Sequence, residues 1–173
     1  MTVYQPREDS NLLAKQILEK DLEGQKCLDM GTGSGIIAEK MVRSDAENVV
    51  AADVNPEAVE EASEKLEDKE NVEVIESDLF ENVEGKFDLI AFNPPYLPGD
   101  ELDEDMEGRE IWRGGESGEE FTEEFLQTAK QHLTSQGEIM FVVSSLSDFD
   151  ISDYEIVDTK ELWFEDIYVL RTG

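Results

Sequence analysis

The sequence Asn93-Pro94-Pro95-Tyr96 has the residue types needed to hold a planar amino group. It directly follows an apolar run at residues 87–92, which predicts a buried strand. The two prolines remove two backbone donors, so local carbonyl groups stay free to accept hydrogen bonds. The Asn93 amide oxygen is a further acceptor, and Tyr96 offers a flat face for stacking. The pattern therefore predicts a clamp for a conjugated NH2 group at the end of a strand.

Glycines and acidic residues follow three earlier predicted strands. The segment from Asp29 to Gly35 reads Asp-Met-Gly-Thr-Gly-Ser-Gly, and its glycines (Gly31, Gly33 and Gly35) let the backbone approach a ligand closely. Asp53 closes the second strand 18 residues after Gly35, where a carboxylate can bind ribose hydroxyls. Asp78 and Leu79 follow the third strand, where they could accept from an adenine amino group and cover its ring.

Asp53 and Asp78, taken singly, are better interpreted as solvated acids on an acidic protein. Three strand ends in series favour a nucleoside cofactor site instead. The Asn93 clamp does not by itself distinguish a glutamine side chain from an adenine or cytosine ring, since each carries a conjugated NH2 group.

The elements that must position these residues alternate between strand and helix. We expect strands at residues 25–30, 48–53, 71–76, 87–93 and 137–144, with two more near 154–159 and 163–171. Helices are expected at 10–23, 35–43 and 56–66, and a fourth opens at a capping box, 117–120. The alternation predicts a parallel, doubly wound α/β sheet. The last two strands are joined too closely for a helical crossover, so they predict an antiparallel edge hairpin in a single domain, residues 1–173.

The charge of the chain is extreme, because 44 Asp and Glu residues against 14 Lys and Arg give −30. Such a chain repels phosphate backbones, which makes a nucleic-acid surface the disfavoured prediction. The acid alternates with a regular apolar pattern, so it does not mark a disordered tail. We prefer a cytoplasmic protein of a salt-accumulating halophile, in which salt screens the repulsion. The alternative is a mesophilic protein with a basic partner.

Single copies of two reactive residue types restrict the chemistry further. Cys27 is the only cysteine, so no internal disulfide can form, and its apolar surroundings predict a core residue. His132 is the only histidine, which argues against histidine catalysis, and no metal site is predicted. The sequence contains no signal peptide and no apolar run near the length of a membrane span, so we expect no membrane partner.

Together these segments resemble the class I S-adenosylmethionine-dependent methyltransferases, and Asn-Pro-Pro-Tyr resembles the subset that methylates amino groups. Residues 3–10, Val-Tyr-Gln-Pro-Arg-Glu-Asp-Ser, are similar to the opening of the HemK-like glutamine methyltransferases of eukaryotes and archaea. The resemblance implies a Rossmann-like, seven-stranded, mostly parallel sheet and S-adenosylmethionine as cofactor. It implies a cofactor site lined by Ser10, Asp29, Gly31, Gly33, Gly35, Asp53, Asp78, Leu79 and Asn93. It also implies that the catalytic residues are Asn93, Pro94, Pro95 and Tyr96.

The implied reaction is N5-methylation of the glutamine in the Gly-Gly-Gln motif of a class I translation release factor. Adenine N6-methylation of DNA or RNA and a non-catalytic cofactor-binding subunit remain the alternatives. A further family-like segment, Trp112-Arg113-Gly114-Gly115, is expected in a substrate-gating loop at residues 97–119.

The small members of this family resemble subunits activated by a small zinc-binding protein that several methyltransferases share. The segment from Asn71 to Glu76 is expected to be an edge strand, and edge strands invite pairing. A partner strand could cover Val72 and Val74 in a heterodimer. An ordinary edge strand, guarded by its glutamates, is an equally good interpretation.

Overall fold

A computed structural model describes residues 8–94 and 118–172 of the chain. The helices are α1 (Glu8–Leu18), α2 (Ile36–Arg43), α3 (Pro56–Lys65) and α4 (Gly118–Ala129). The strands are β1 (Lys26–Met30), β2 (Asn48–Asp53), β3 (Val72–Glu76), β4 (Phe87–Phe92), β5 (Leu133–Ser144), β6 (Glu155–Glu161) and β7 (Asp166–Arg171). A short 3-10 helix, Lys130–His132, leads from α4 into β5.

The strands form one seven-stranded sheet in the order β3-β2-β1-β4-β5-β7-β6. Strands β1 to β5 pair in parallel, whereas β7 pairs antiparallel with both β5 and β6. This confirms the predicted parallel sheet, the C-terminal hairpin and the edge position of the third strand. The chain reverses direction across the sheet between β1 and β4, and ligands of open α/β sheets bind at such a switch point.

Each face of the sheet buries its own apolar cluster. Successive β1 residues point to opposite faces, so Cys27 packs with α1 and α2 while Leu28 packs with Phe125 of α4. Cys27 is fully buried, as expected for a core residue, and burial raises the pKa of its thiol to about 12. The α3 helix begins as its sequence indicates, since the Asn55 side chain accepts a hydrogen bond from the Glu57 amide at 3.0 Å.

Several element boundaries differ from the sequence prediction, including the start of β7 at Asp166 rather than near Trp163, and the two largest differences are at α1 and β5. Helix α1 ends at Leu18, although Leu22 continues the apolar spacing; there the Leu22 amide donates instead to the Ser44 carbonyl at 2.9 Å. Strand β5 begins at Leu133, earlier than the predicted start at Gly137. An irregularity in the pairing of β5 with β4 accommodates the polar residues between Leu133 and Glu138. A side chain at Gly137 would come within 2.6 Å of the Phe87 carbonyl oxygen, so only glycine fits there without a shift.

We predict that salt stabilises this protein. On helix α3, for example, the side chains of Glu57, Glu60 and Glu64 are exposed. Their spacings of three and four residues bring like charges together on one face of the helix. Raising KCl from about 0.1 M to about 2 M shortens the Debye length from ~10 Å to below ~3 Å, and we expect the Tm to rise by roughly 5 °C or more. Thermal unfolding followed by circular dichroism measures the shift. Glycerol, which does not screen charge, is the control, and a Tm insensitive to KCl would contradict the halophile interpretation.

Candidate active site

The candidate site lies at the carboxyl edge of the parallel strands. Met30 of β1 pairs with Phe92 of β4, so Gly31 and Asn93 leave the sheet side by side. On the other side of β1, its neighbour β2 ends at Asp53. The topology therefore brings the predicted glycine loop, the second-strand carboxylate and the amide of the clamp to one edge of the sheet.

Asp29 lies beneath the glycine loop and shapes it. Its Oδ2 accepts hydrogen bonds from the Thr32 hydroxyl at 2.6 Å and from the Ala38 amide at 2.9 Å. The carboxyl is only 2% exposed, and this burial raises its pKa to about 7 despite both hydrogen bonds. Asp29 thus ties the end of β1 to the loop and to the first turn of α2.

The loop itself needs its glycines. Gly31, Gly33 and Gly35 all adopt positive φ angles, a region that residues with a Cβ seldom enter. A Cβ on Gly35 would also come within 3.3 Å of the Ala62 Cβ, because α3 packs closely against the start of α2. The glycines therefore keep the backbone path that a close ligand requires.

Asp53 holds the loop from the second strand. Its Oδ2 accepts from the Gly33 amide and its Oδ1 from the Asn55 amide, each at 2.9 Å. The side chain is half-buried, and desolvation raises the pKa of its carboxyl above the usual range. Each carboxylate oxygen has a second acceptor position, so Asp53 can still accept hydrogen bonds from a ligand.

The turn after β3 presents Asp78 and Leu79. Asp78 is exposed, whereas Leu79 is half-buried at a φ of 46°, an unusual angle for a residue with a branched side chain. The Ser77 hydroxyl maintains this turn, since it donates to the Leu79 carbonyl at 2.8 Å and accepts from the Asn82 amide at 3.0 Å.

The side-chain amide of Asn93 forms hydrogen bonds with helix α1. Its Nδ2 donates to Asp9 Oδ2 at 3.1 Å and to the Ser10 hydroxyl at 3.0 Å. A carboxylate can only accept, so the contact with Asp9 decides which end of the amide is nitrogen. Asn93 Oδ1 faces the other way and is buried with no hydrogen-bond partner within residues 8–94 and 118–172. Buried acceptors are seldom left unpaired, so this oxygen is prepared for a donor from a ligand.

The structure brings Ser10, the glycine loop, Asp53 and Asn93 to one edge of the sheet. Pro94 is buried directly after Asn93, whereas Pro95 and Tyr96 lie outside the described residues, as do Trp112 to Gly115. Sequence reasoning missed Asp9, which is 5% exposed, and Thr32. Asp9 belongs to the family-like opening at residues 3–10, but it is one acid among 44 and only packing shows that it is buried.

Residues 8–94 and 118–172 contain no cluster of three or more potential metal ligands and no helix long and apolar enough to cross a membrane.

A comparison with protein families identifies the chain. The family model described as the methyltransferase small domain matches residues 7–152. The chain belongs to the methyltransferase small domain family. This methyltransferase also has extended similarity to named proteins. It is 39% identical over 148 residues to a Methanocaldococcus jannaschii protein provisionally named protein N5-glutamine methyltransferase, covering 84% of this chain and 74% of that one.

Two further relatives place this methyltransferase in the HemK-like group. Mouse methyltransferase HEMK2 is 31% identical over 146 residues, which cover 78% of this chain and 68% of the mouse protein. The release factor glutamine methyltransferase of Lactococcus lactis is 40% identical over 100 residues, covering 56% and 37% of the two chains. The match therefore spans little more than a third of that bacterial enzyme's length.

Solved structures share the fold of this methyltransferase. A Thermus thermophilus 16S rRNA methyltransferase, solved with AdoMet and guanosine, superimposes with a TM-score of 0.73 at 20% identity. The superposition covers 98% of this chain and 43% of the Thermus chain. A Salinibacter ruber RNA methyltransferase, solved with S-adenosylhomocysteine, has a TM-score of 0.63 at 18% identity, with 98% and 92% covered. At these identities the likeness establishes the α/β methyltransferase fold alone.

The residues at the strand ends suit S-adenosylmethionine, the methyl donor of this methyltransferase class. That molecule offers a ribose diol and an adenine amino group as donors, together with a positively charged sulfonium. The strand ends offer matching acceptors and negative charge in Asp53 and Asp78. The glycine loop adds a backbone surface without side chains.

We predict that Asp29→Asn removes a pH dependence of stability. The folded-state pKa of about 7 lies above the ~4 of an unfolded aspartate, so the folded protein binds the extra proton between these values. This contribution to stability is complete below pH ~4 and is lost as the pH rises towards 7, by up to about 1.4 kcal/mol per unit. Asparagine keeps an oxygen for Thr32 and Ala38 and cannot titrate.

Urea unfolding of both proteins between pH 5 and 8 measures the effect. The free energy of unfolding of the wild type, relative to Asp29→Asn, should fall towards pH 7 and level off above it. The exposed Asp68→Asn variant is the control, since its difference from the wild type should not fall towards pH 7. Parallel curves for wild type and Asp29→Asn would contradict the raised pKa.

Proposed function

We propose that this protein transfers a methyl group from S-adenosylmethionine to the side-chain nitrogen of the glutamine in a release factor's Gly-Gly-Gln motif. The observation that carries the proposal is the buried Asn93 oxygen at the end of β4, which has no hydrogen-bond partner among the described residues. The relatives' names give the acceptor class, since they include release factor glutamine methyltransferases. A release factor acts on ribosomes, so the proposal places the enzyme in the cytoplasm.

Asn93 positions the acceptor nitrogen. A carboxamide NH2 is a weak nucleophile because its lone pair is delocalised into the carbonyl group. Asn93 Oδ1 accepts one N–H of the glutamine and the Pro94 carbonyl accepts the other, which fixes the nitrogen and favours the positive charge that develops on it. Asp9 and Ser10 keep the Asn93 oxygen pointed at the substrate by engaging both of its amide hydrogens. Tyr96 stacks on the planar group.

The remaining predicted residues hold the methyl donor. Asp53 binds the ribose hydroxyls, Asp78 and Leu79 take the adenine, and Gly31, Gly33 and Gly35 form the backbone surface. Ser10 and Asp29 act through other groups, Ser10 by orienting Asn93 and Asp29 by holding the loop. When bound, S-adenosylmethionine supplies an electrophilic methyl group on a positively charged sulfur. Transfer would form a bond between the glutamine nitrogen and that carbon as the carbon–sulfur bond breaks, with neutral S-adenosylhomocysteine as the leaving group. The nitrogen would then lose one proton to solvent, so no histidine base is needed.

Adenine N6-methylation is the second candidate, because the same clamp would hold an adenine amino group. The net charge of −30 disfavours it, since a nucleic-acid backbone would be repelled. A non-catalytic scaffold is the third, and the oriented Asn93 amide argues against it.

The test is methyl transfer from labelled S-adenosylmethionine in molar KCl. We expect label on a release factor carrying Gly-Gly-Gln, none on its Gly-Gly-Ala variant and none on adenine-containing oligonucleotides. Asn93→Ala should lower kcat by at least about 100-fold, the typical contribution of one such acceptor, while cofactor affinity measured by calorimetry stays close to wild type. Asp53→Ala should instead weaken cofactor binding.

Two outcomes would contradict this assignment. Label on oligonucleotides but not on the release factor would favour the adenine reaction. A fully active Asn93→Ala variant would refute the clamp. Asp68→Ala, a change at an exposed residue that forms an ion pair with Lys69, is the matched control and should leave both transfer and cofactor binding unchanged.

We also propose that the enzyme works as a heterodimer with a small zinc-binding activator protein, which pairs with the edge of the sheet. Among the described strands, β3 has a neighbour on one side only, and its Val72, Val74 and Ile75 are half-buried. A groove of about 550 Å³ runs beside it, bordered by Val72, Ile75 and Asn82. A partner strand there would satisfy the free backbone groups of β3 and cover its apolar side chains. One domain spanning residues 1–173 would supply the catalytic subunit.

We expect the chain alone to be poorly active and the activator to restore transfer with 1:1 stoichiometry in light scattering. Val74→Lys should weaken that association at least about tenfold, because it places a charge in the pairing face. Glu81→Lys, on the turn after β3, makes a charge change outside the strand and serves as the control. A chain that is stable and fully active as a monomer, without the activator, would contradict the heterodimer proposal.

A further inference from the structure

Three large apolar side chains are exposed together near the C-terminal hairpin. Trp163 is 93% exposed, Leu146 52% and Phe164 50%, and the Trp163 and Phe164 rings meet edge to face with centroids 5.0 Å apart. We call these three residues the aromatic knob. An almost fully exposed tryptophan is uncommon in a folded protein, and Trp is enriched among the residues that dominate protein interfaces.

The aromatic knob lies on the same edge of the sheet as Asn93. Strand β7 runs antiparallel to β5 with Ser144 opposite Ile167, so the β6–β7 turn lies where β5 ends. Phe141 of β5 pairs with Phe92, and β5 continues three residues further, about 10 Å beyond the end of β4. Two strand spacings separate β4 from β7. The aromatic knob therefore lies roughly 10–20 Å from the Asn93 amide, within the footprint of a bound protein.

The knob is held in place by a buried hydrogen-bond network. The Ser144 hydroxyl, 1% exposed, donates to the buried Glu165 carboxylate and accepts from the Leu146 amide at 3.1 Å. The Leu162 amide donates to the Glu165 carbonyl at 2.8 Å, which closes the turn that carries Trp163 and Phe164. The Ser145 amide joins the two segments by donating to the Asp166 carbonyl at 2.8 Å. This fixed presentation lowers the ordering cost of binding.

The surroundings of the knob are acidic. Glu161 and Asp148 are exposed on its two segments, and Asp150 and Asp153 follow nearby in the chain. The only cation between residues 145 and 166 is Lys160, which is paired with Glu8. A second copy of this chain would bring the same acidic rim against itself, so like charges disfavour self-association. The complementary partner is a protein surface with an apolar pocket rimmed by lysine or arginine.

We propose that the aromatic knob docks the folded protein that carries the target glutamine, with Trp163 inserted into an apolar, basic-rimmed pocket beside the glutamine loop. This inference rests on the proposed function, because it names how the same site recognises its protein substrate. Asn93 then binds the glutamine side chain, and the knob selects the protein.

The test compares an intact release factor with a short peptide that contains only the Gly-Gly-Gln segment. Trp163→Ala should raise KM for the intact factor at least about tenfold, leave its kcat unchanged and leave the kinetics of the peptide unchanged. Trp163→Phe should recover part of the loss. Ile156→Ala, which removes an exposed apolar side chain at the far end of the same hairpin, is the matched control and should match the wild type.

Direct binding separates this proposal from the proposed function. The Gly-Gly-Ala release factor should bind the wild type and Ile156→Ala equally and Trp163→Ala at least about tenfold more weakly. If binding depends on Trp163 but the Gly-Gly-Gln factor is not methylated even with the activator present, the docking surface would be supported and the proposed reaction would be contradicted. Methylation with KM and binding independent of Trp163 would overturn the docking surface alone. A wild-type dimer that Trp163→Ala dissociates in light scattering would also overturn it.

Discussion

The site depends on the two hydrogen bonds that the Asn93 amide donates to helix α1. Asp9 and Ser10 belong to the first turn of α1, 84 and 83 residues away from Asn93 along the chain. The helix is held by its apolar face, with Leu13 and Ile17 fully buried, and Lys15 and Gln16 both bind Asp158 of β6. The packing of α1 therefore decides where the Asn93 oxygen points, and the residues that anchor the helix belong functionally to the site.

The cofactor side of the site is organised by carboxylates that hold backbone. Asp29 and Asp53 each accept hydrogen bonds from amides of the glycine loop or its helix, and both have raised pKa values because they are desolvated. Burial of acidic groups is costly in a protein that already carries excess negative charge. A positively charged ligand at this edge offsets that cost, so the loop geometry and the electrostatics favour the same kind of molecule.

The strand order places the site, the open strand edge and the exposed β6–β7 turn at different positions on the sheet. The switch between β1 and β4 opens the site in the middle of the carboxyl edge, while β3 leaves one lateral edge of the sheet unpaired. The antiparallel β7 returns the chain to the carboxyl edge, and its turn carries apolar side chains out beside the site. A fully parallel sheet would have needed a crossover there and could not have placed a tight turn at that position.

The sequence by itself determined the fold class, the edge position of the third strand and the strand-end positions of Gly31, Asp53 and Asn93. Those features follow from local periodicity and turn chemistry, which the chain carries everywhere. It could not reveal the role of Asp9, the orientation of the Asn93 amide, the bulge at Gly137 or the exposure of Trp163, which periodicity placed within a strand. Each of these depends on contacts between segments far apart in the chain, and only tertiary packing decides which polar groups are buried together and which apolar groups remain in water.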